Sequence, residues 1–364
     1  MSLPEKKLDR VRELLKEKSL DAAYISAQSN FSWISDGGRG HVAMSTETSV
    51  ASFFITQSDV YLISNNIEAQ RLKDEEIQSD NYILREHFWY DNDHKDRIIS
   101  ELCKGKNVGS DIPMDGYCNI SSDIAELRYM LTEQEVERYR ELGKDCGESI
   151  GKVCRLMKPG ISEFEIAGKM ASELYRREVT PVVLLIAVDD RILSYRHPLP
   201  TGKRAGQYGM IVICGRRYGL IASVTRLFHF GKLPAELRMK HDAVVTVDTV
   251  FISESKPGAV IGDIFSKAQN MYAEKGFAEE WKFHHQGGPA GYGARDYVAT
   301  PGNTGKVLKP QALAWNPSIK GTKSEDTIIT TDGRPEIITG SPDWQMIDVS
   351  YNGETWQRPD ILVI

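Results

Sequence analysis

With 364 residues the chain is too long for one small module, and at ~150 residues per domain it suggests two domains. Hydrophobic residues make up 41% and charged residues 26% of the chain, an ordinary globular balance that excludes wholesale disorder. The formal net charge of −6 provides no attraction to nucleic acid or to an anionic membrane, so we expect neither as a partner.

The start of the chain and its cysteines indicate the compartment. The N-terminal stretch is charged throughout and lacks the apolar core of a signal peptide. The longest apolar run, Val182–Val188, is far shorter than the ~20 residues that cross a bilayer. Five cysteines are scattered along the chain without a Cys-x-x-Cys motif. We therefore expect a reduced, cytoplasmic protein with neither a disulfide scaffold nor a structural zinc site.

Residues 1–130 are predicted to form an α/β domain. Leu3–Lys18 carries apolar residues at helical spacing, which predicts an amphipathic helix. A short apolar strand follows over Ala22–Ala27. Ser49–Thr56 and Asp59–Ser64 are predicted to pair as a hairpin. Helical and strand patterns then alternate to the end of this domain.

Residues 131–364 are predicted to form an α+β domain, a curved antiparallel sheet with helices on one face. Capping-box signatures at Thr132 and Ser162 predict a long helix as far as Gly160 and a second helix after it. Two apolar strands flank Arg216 and Arg217 and are predicted to form a hairpin that turns there. Two further helices, at 234–251 and 261–275, and two strand segments, at 312–319 and 325–331, complete the domain.

Three segments of the second domain combine polar side chains with glycine and proline: 192–203, 283–296 and 314–326. Pro198 and Pro200 favour an extended backbone just after His197. Gly287 and Gly288 allow the main chain to pass close to a ligand or to another strand. Because loops of this composition often carry function, we expect the functional site in this domain.

The same segments carry a resemblance to a known family. MIVICGRRYGLIASVTRLFHFG (210–231), FHHQGG (283–288), ALAWNPSI (312–319) and KSEDTIIT (323–330) follow one another as do that family's paired-Asp hairpin, Gly-His-x-x-Gly segment, Glu-Pro strand and closing Glu-Asp-Thr. NVGSDIP (107–113) resembles part of its N-terminal domain. The family is that of creatinase and Xaa-Pro aminopeptidase, metallopeptidase family M24. The resemblance implies a creatinase-like domain over 1–130, a pita-bread domain over 131–364, and a homodimer.

The resemblance also implies where metal ions would bind. The family's peptidases hold two metal ions with two Asp, one His and two Glu. The corresponding positions here are Cys214, Ser223, His285, Asn316 and Glu325, so only the His and the last Glu remain. Paired dications require bridging carboxylates, and we therefore expect no metal cofactor. A single metal at Cys214, His285 and Glu325 is the remaining option, although Cys214 also fits a small buried hydrophobe.

Creatinase, a metal-free member that hydrolyses a C–N bond, is the closer template. It implies that His197, in RHPLPT, is the acid and base and that Arg295 binds a substrate carboxylate. Asp242 and Glu325 resemble the residues that bind its guanidinium group. Creatine itself is not implied, because Tyr292 stands where most relatives have a second His.

Other side chains near these motifs have two readings each. Trp315 could stack on a substrate or fill the core. Asn316 could replace a metal as a neutral hydrogen-bond donor, and Cys214 could act as a nucleophile only if the pKa of its thiol were lowered. We expect His284 and Arg226 to serve structural roles.

These observations predict a metal-independent hydrolase of a C–N bond in a small polar substrate. The alternatives are an Xaa-Pro aminopeptidase-like metallopeptidase, a lyase on the same scaffold, and a non-catalytic metabolite-binding protein. The predicted catalytic residues are His197, His285 and Glu325, and the predicted substrate contacts are Asp242, Tyr292, Arg295, Asn316, Cys214 and Trp315.

Overall fold

The computed structural model describes residues 3–77 and 79–364, which divide into two compact units. The first unit extends to Arg128 and includes Tyr218–Leu220. The second comprises Tyr129–Arg217 and Ile221–Ile364. Whether the chain also folds as separate domains over 1–130 and 131–364 stays a prediction.

The first unit is an α/β arrangement around a six-stranded sheet in the order β4-β3-β2-β1-β5-β6. Its strands are β1 Ala22–Ala27, β2 Thr48–Thr56, β3 Val60–Asn65, β4 Ile83–His87, β5 Val108–Ser110 and β6 Cys118–Asn119. Its helices are α1 Glu5–Glu17, α2 Gln28–Ile34, α3 Ala69–Arg71, α4 Asn92–Cys103 and α5 Ser121–Leu127, with a π-helical turn at Leu72–Glu76.

The predicted elements at the start of the first unit are confirmed. Helix α1 begins one residue after Pro4, which occupies its N-cap, and buries its leucines and Val11 against the sheet. Strands β2 and β3 pair antiparallel with Phe53 opposite Leu62, as the predicted hairpin requires. Asp111, just after β5, accepts hydrogen bonds from the backbone of Ser26 and Ala27 and so fixes the end of β1.

The second unit packs helices against antiparallel strands. Its helices are α6 Glu133–Arg155, α7 Glu163–Tyr175, α8 Asp190–Ser194, α9 Ala235–Glu254 and α10 Ile261–Glu274, with a 3-10 turn at Glu280–Phe283. Both predicted capping boxes are present, at Thr132 and Ser162. The predicted extension of α6 to Gly160 is wrong. The helix ends at Arg155, because Pro159 has no N–H to donate to the carbonyl of Arg155 four residues earlier and its ring would clash with that carbonyl.

Strands of the second unit form two four-stranded sheets and two short hairpins. One sheet, in the order β18-β9-β8-β7, contains β7 Thr180–Val188, β8 Tyr208–Arg217, β9 Leu220–His229 and β18 Leu362–Val363. The other, β10-β11-β14-β15, contains β10 Gly287–Ala290, β11 Ala312–Trp315, β14 Asp326–Ile329 and β15 Glu336–Ile337. The hairpins are β12 Ser318–Ile319 with β13 Thr322–Lys323, and β16 Met346–Tyr351 with β17 Glu354–Pro359.

The hairpin of β8 and β9 turns two residues later than predicted. Arg216 and Arg217 end β8, and the turn falls on Tyr218 and Gly219. Both turn residues have positive φ, 53° and 76°, which suits a two-residue hairpin loop. The arginines lack this backbone preference, so they continue the strand.

A buried apolar cluster of α9, α10 and β11 supports the second sheet. Trp315 is fully buried in this cluster, where its ring stacks on Phe251 at 4.5 Å between centroids. In the described parts of the chain, every helix is too short or too polar to traverse a lipid bilayer.

Candidate functional site

The two sheets of the second unit meet where β9 approaches the start of β14. The backbone amide of Thr225 donates to the carbonyl of Glu325 at 3.2 Å, which forms an isolated bridge between them. Since side chains alternate along a strand, Ser223 and Thr225 lie on the same face of β9. The three polar segments predicted from the sequence contribute side chains to this junction.

Glu325 is the centre of a buried ion-pair network. Its side chain is 2% exposed, and both of its carboxylate oxygens are engaged. Arg295 Nη2 donates to Oε1 at 3.0 Å, while Lys323 Nζ and Thr225 Oγ1 donate to Oε2 at 2.8 and 2.6 Å. Burial by itself raises the pKa of Glu325, but the charges of Lys323 and Arg295 outweigh it and lower the pKa to about 2. Glu325 is therefore ionised and doubly paired at neutral pH.

Arg295 also connects Glu325 with β9. Its Nη1 donates to Ser223 Oγ at 3.1 Å, and Ser223 Oγ lies 3.2 Å from Cys214 Sγ. Burial raises the pKa of the Cys214 thiol, and the charge of Glu325 adds to that rise. Because the thiolate is disfavoured, the geometry gives no support to Cys214 as a nucleophile.

Three imidazoles cluster beside this network. His197 Nε2 and His284 Nε2 are 3.0 Å apart, and one nitrogen from each of His197, His284 and His285 lies within 4.8 Å of the other two. His284 is buried, His285 is half-buried and His197 is exposed. The expected structural role of His284 stays a prediction, and its buried ring contacts His197 directly.

The surroundings keep all three imidazoles neutral near pH 7. Burial and the charge of Lys323 lower the pKa of His197, and the same two causes lower that of His284 far below the usual range. Burial, followed by Arg295 and Lys323, lowers the pKa of His285 to about 4. Neutral imidazoles retain a lone pair, so each can accept a proton or bind a metal ion.

Three of the predicted substrate contacts lie elsewhere. Trp315 cannot stack on a substrate, because it is fully buried and its Nε1 donates to Ser255 Oγ. Tyr292 is buried, and its hydroxyl donates to Glu135 at 2.7 Å. Asp242, on α9, is 53% exposed and pairs with Arg238 one turn earlier.

Asn316 lies at the end of β11, next to the site segment. It is buried, and its backbone amide donates to the carbonyl of Gln286 at 3.0 Å. Within residues 3–77 and 79–364, the side-chain oxygen of Asn316 and the Nδ1 atoms of His284 and His285 have no hydrogen-bond partner. Such buried polar atoms are costly to leave unpaired, so this region is suited to a polar ligand.

The residues at the family's metal positions do not fit a pair of metal ions. Cys214, Ser223 and Asn316 supply no carboxylate, and both oxygens of Glu325 are already bound by cationic side chains. A guanidinium group bridges Ser223 and Glu325. The single-metal option at Cys214, His285 and Glu325 is opposed by the same feature, because Arg295 and Lys323 already engage both oxygens of its carboxylate.

Two side chains that bind Glu325, Lys323 and Thr225, are absent from the residues predicted from the sequence. A usable signal was present, because alternation places Lys323 on the same face of the chain as Glu325, two residues away. Thr225 bears the same relation to Ser223. The contact of the Thr225 hydroxyl with Glu325 depends on pairing between distant strands, and a spacing of two residues does not specify that pairing.

Comparisons with known proteins agree with this fold. The model of metallopeptidase family M24 matches residues 137–332, and that of the creatinase/prolidase N-terminal domain matches residues 7–141. An uncharacterized peptidase of Staphylococcus epidermidis is 22% identical over 360 residues, 92% of this chain and 98% of its own. One from Staphylococcus saprophyticus is 21% identical over 351 residues, covering 92% and 99%.

Solved structures are similar over nearly the whole chain. The prolidase from Pyrococcus horikoshii has a TM-score of 0.78 at 17% identity and covers 92% of this chain and 98% of its own. The dipeptidase PepE from Mycobacterium ulcerans has a TM-score of 0.80 at 15% identity, covering 99% and 97%. The predicted fold class, an α/β N-terminal domain followed by a pita-bread domain, is confirmed by these likenesses.

Proposed function

Because the chain belongs to metallopeptidase family M24, we propose that it hydrolyses a C–N bond in a small polar substrate by proton transfer through histidines, without the paired metal ions of the family's peptidases. The observation that carries the proposal is the state of Glu325. Its two oxygens pair with Arg295 and Lys323, so cations of the protein take the place that metal ions would need.

His197 is the proposed acid and base. In a contact between two neutral imidazole nitrogens, one nitrogen carries the proton. If His197 Nε2–H donates to His284 Nε2, the Nδ1 atom of His197 is free to take a proton from water. The resulting hydroxide attacks the carbon of the C–N bond, and the imidazolium returns its proton to the departing amine. His284 thereby orients His197 and stabilises its charged form.

The charges of the site favour a substrate that carries a carboxylate. Arg295 and Lys323 supply two positive charges against the single negative charge of Glu325, while the three imidazoles are neutral. Glu325 is therefore not free to bind a guanidinium group, and Asp242 is paired with Arg238. Compounds with an amide or amidine bond next to a carboxylate are the class to screen first.

The test begins with a substrate screen in the presence of EDTA, followed by variants of the histidines on any compound converted. His197→Ala is expected to lower kcat by ~10²–10⁴-fold, the usual contribution of a general acid–base group. His94→Ala, in the first turn of α4, is the matched control and should leave kcat unchanged. Unchanged turnover of His197→Ala would contradict the proposal.

Product analysis in isotopically labelled water separates the remaining alternatives. A hydrolase incorporates the labelled oxygen into its product, whereas a lyase releases products without it. A ligand that raises the melting temperature but is never converted would indicate a metabolite-binding protein.

A metal-dependent Xaa-Pro peptidase is the second candidate, since several similar solved structures are titled prolidase or Xaa-Pro dipeptidase. It predicts cleavage of proline dipeptides that requires added Mn²⁺ or Co²⁺ and that EDTA abolishes. Such cleavage would replace the metal-independent proposal.

A further inference from the structure

The histidine cluster has the geometry of a metal site that the family's carboxylate positions do not provide. Zinc binds imidazole nitrogen at ~2.0–2.1 Å, so two nitrogens in a tetrahedral site lie ~3.3 Å apart. The nitrogens of His197 and His284 are 3.0 Å apart, close to that spacing. The third nitrogen, from His285, lies within 4.8 Å of both, so it must move closer to the other two when all three bind one ion.

Two buried atoms provide a second observation. The Nδ1 atoms of His284 and His285 are buried and, among the described residues, have no hydrogen-bond partner. Buried polar atoms are nearly always satisfied by protein, water or a ligand. Because His284 faces His197 through its Nε2, the Nδ1 of His285 is the unsatisfied nitrogen that a metal ion in the cluster could bind.

We propose that His197, His284 and His285 bind one nitrogen-preferring dication, such as Zn²⁺, with an open coordination position toward solvent. His197 is exposed, so a metal ion has a route in and water can reach it. Three imidazoles and one open position are a ligand set that zinc accepts. Mg²⁺, Ca²⁺ and Mn²⁺ prefer oxygen ligands, and the carboxylate of Glu325 has both oxygens engaged.

Lys323 opposes the metal ion by charge. Lys323 lines the same small cavity as His284, so its ammonium group acts on the cluster at short range. A dication is repelled by the same charge, which weakens binding of any metal that gains little from nitrogen ligands. Replacement of Lys323 by a neutral residue should therefore tighten zinc binding, a change opposite in sign to loss of a ligand.

Occupancy by zinc would stop the proposed proton transfer. An imidazole that donates one nitrogen to a metal carries its proton on the other, so His197 could no longer act as a base. Zinc should therefore inhibit the enzyme, and this part of the inference depends on the proposed function. The binding itself does not depend on it.

The experiment titrates full-length protein, first freed of metal with EDTA and dialysed, with Zn²⁺ by calorimetry and with Co²⁺ by visible absorption. One ion per chain is expected. His284→Ala and His197→Ala should weaken binding by more than the ~10–100-fold typical of a change in the second shell of a metal site. Lys323→Gln should tighten it, and His94→Ala should leave it unchanged.

Thermal unfolding of each metal-free variant shows whether it is folded, and His284→Gln is the second variant if His284→Ala is not. Absence of saturable binding to the wild type, or binding unaffected by both histidine variants, would overturn the site. If zinc binds as expected but does not inhibit turnover, the metal site stands and the role of His197 as base is wrong.

Discussion

At the scale of single residues, the site depends on one carboxylate held by two cations. Glu325 lies between Arg295 and Lys323, and all three side chains are nearly inaccessible to solvent. A buried ion pair is weak evidence for stability, yet removing one member leaves an uncompensated charge. Because two cations share one anion, loss of the anion should destabilise the protein more than loss of one cation.

Glu325→Gln is expected to destabilise the protein by ~3–5 kcal/mol, because it leaves both Arg295 and Lys323 without a counterion. Lys323→Met should cost less, since Arg295 still compensates Glu325. Urea unfolding of both variants measures the difference. A larger loss for Lys323→Met than for Glu325→Gln would show that the network is not centred on Glu325.

His241 should make the fold sensitive to acid. It is fully buried on α9, where its ring nitrogens contact Thr322 Oγ1 and the carbonyl of Pro359, and burial lowers its pKa to about 4. In the unfolded chain it gains a proton near pH ~6.5. The contribution of His241 to the free energy of unfolding is therefore fully present above pH ~6.5. It is lost as the pH falls from there to about 4, and the loss is on the order of 3 kcal/mol.

The measurement is the free energy of unfolding at several pH values for the wild type and His241→Gln. The variant should start less stable, because it loses part of the hydrogen bonding, but it should decline less as the pH falls. Parallel pH profiles would contradict a contribution from His241.

The sequence predicted much of the site at this scale, and the reasons for its failures are physical. His197, His285, Arg295, Cys214 and Glu325 do meet in the structure. Trp315 failed because the core offered it a stacking partner, Phe251. Lys323 was missed because its spacing places it on the same face of the chain as Glu325 but does not show whether its ammonium group is buried.

At the scale of elements, backbone conformation decides how close β10 can lie to β11. Gly287 has a φ of +97°, and a Cβ placed there would lie 2.1 Å from the carbonyl oxygen of Ala314. The sequence predicts that the main chain at Gly287 passes close to another strand, and this contact confirms it. The strand that follows the histidine cluster therefore needs glycine at this position.

Gly287→Ala is expected to destabilise the second unit by more than ~2 kcal/mol and to displace the neighbouring histidines, because both the positive φ and the short contact oppose a side chain. Gly333→Ala is the control, since a Cβ at Gly333 meets nothing within 4 Å. Thermal unfolding checks the stability. Equal melting temperatures for the two variants would contradict the steric argument.

Some predicted boundaries of helices and turns match the structure, and others are displaced by a residue with a stronger backbone preference. The capping boxes placed the starts of α6 and α7 correctly. Pro159 ended α6 early, and the turn of the β8–β9 hairpin moved to the residues that adopt positive φ. In both cases a specific residue overrode the general hydrophobic pattern.

At the scale of the whole molecule, a second buried charge network joins parts of the second unit that are far apart in sequence. Arg358 on β17 donates to Asp248 on α9 at 2.5 Å and to Asp326 on β14 at 2.7 Å. Arg226 on β9 donates to Asp326 at 3.0 Å. The prediction of a structural role for Arg226 is confirmed. These four side chains connect both sheets of the second unit with α9.

Arg358→Leu is expected to cost ~3–5 kcal/mol, because Asp248 would lose its pairing with Arg358 while Asp326 would keep only that with Arg226. Simultaneous replacement with Asp248→Leu should recover part of that loss, since it removes one of the unpaired charges. Chemical denaturation of the wild type, both single variants and the double variant measures the coupling. Additive losses in the double variant would contradict a shared network.

The two-part fold class was accessible from sequence because a resemblance covers most of the chain. Pairings between remote segments were not, and the parallel pairing of β18 with β9 is an example. Such contacts join residues more than a hundred positions apart, and no local periodicity encodes which strand lies beside which.

Glu325 and Asp326 are adjacent, yet each is bound by arginine on an opposite side of the chain. A slip of this segment by one position would place Asp326 at Arg295 but Thr327 at Arg226 and Arg358, or Glu325 at those two arginines but Ser324 at Arg295. Both surfaces would then be mismatched together. The two neighbouring acids thus favour a single register of this segment, since a slipped register is penalised on both of its sides at once.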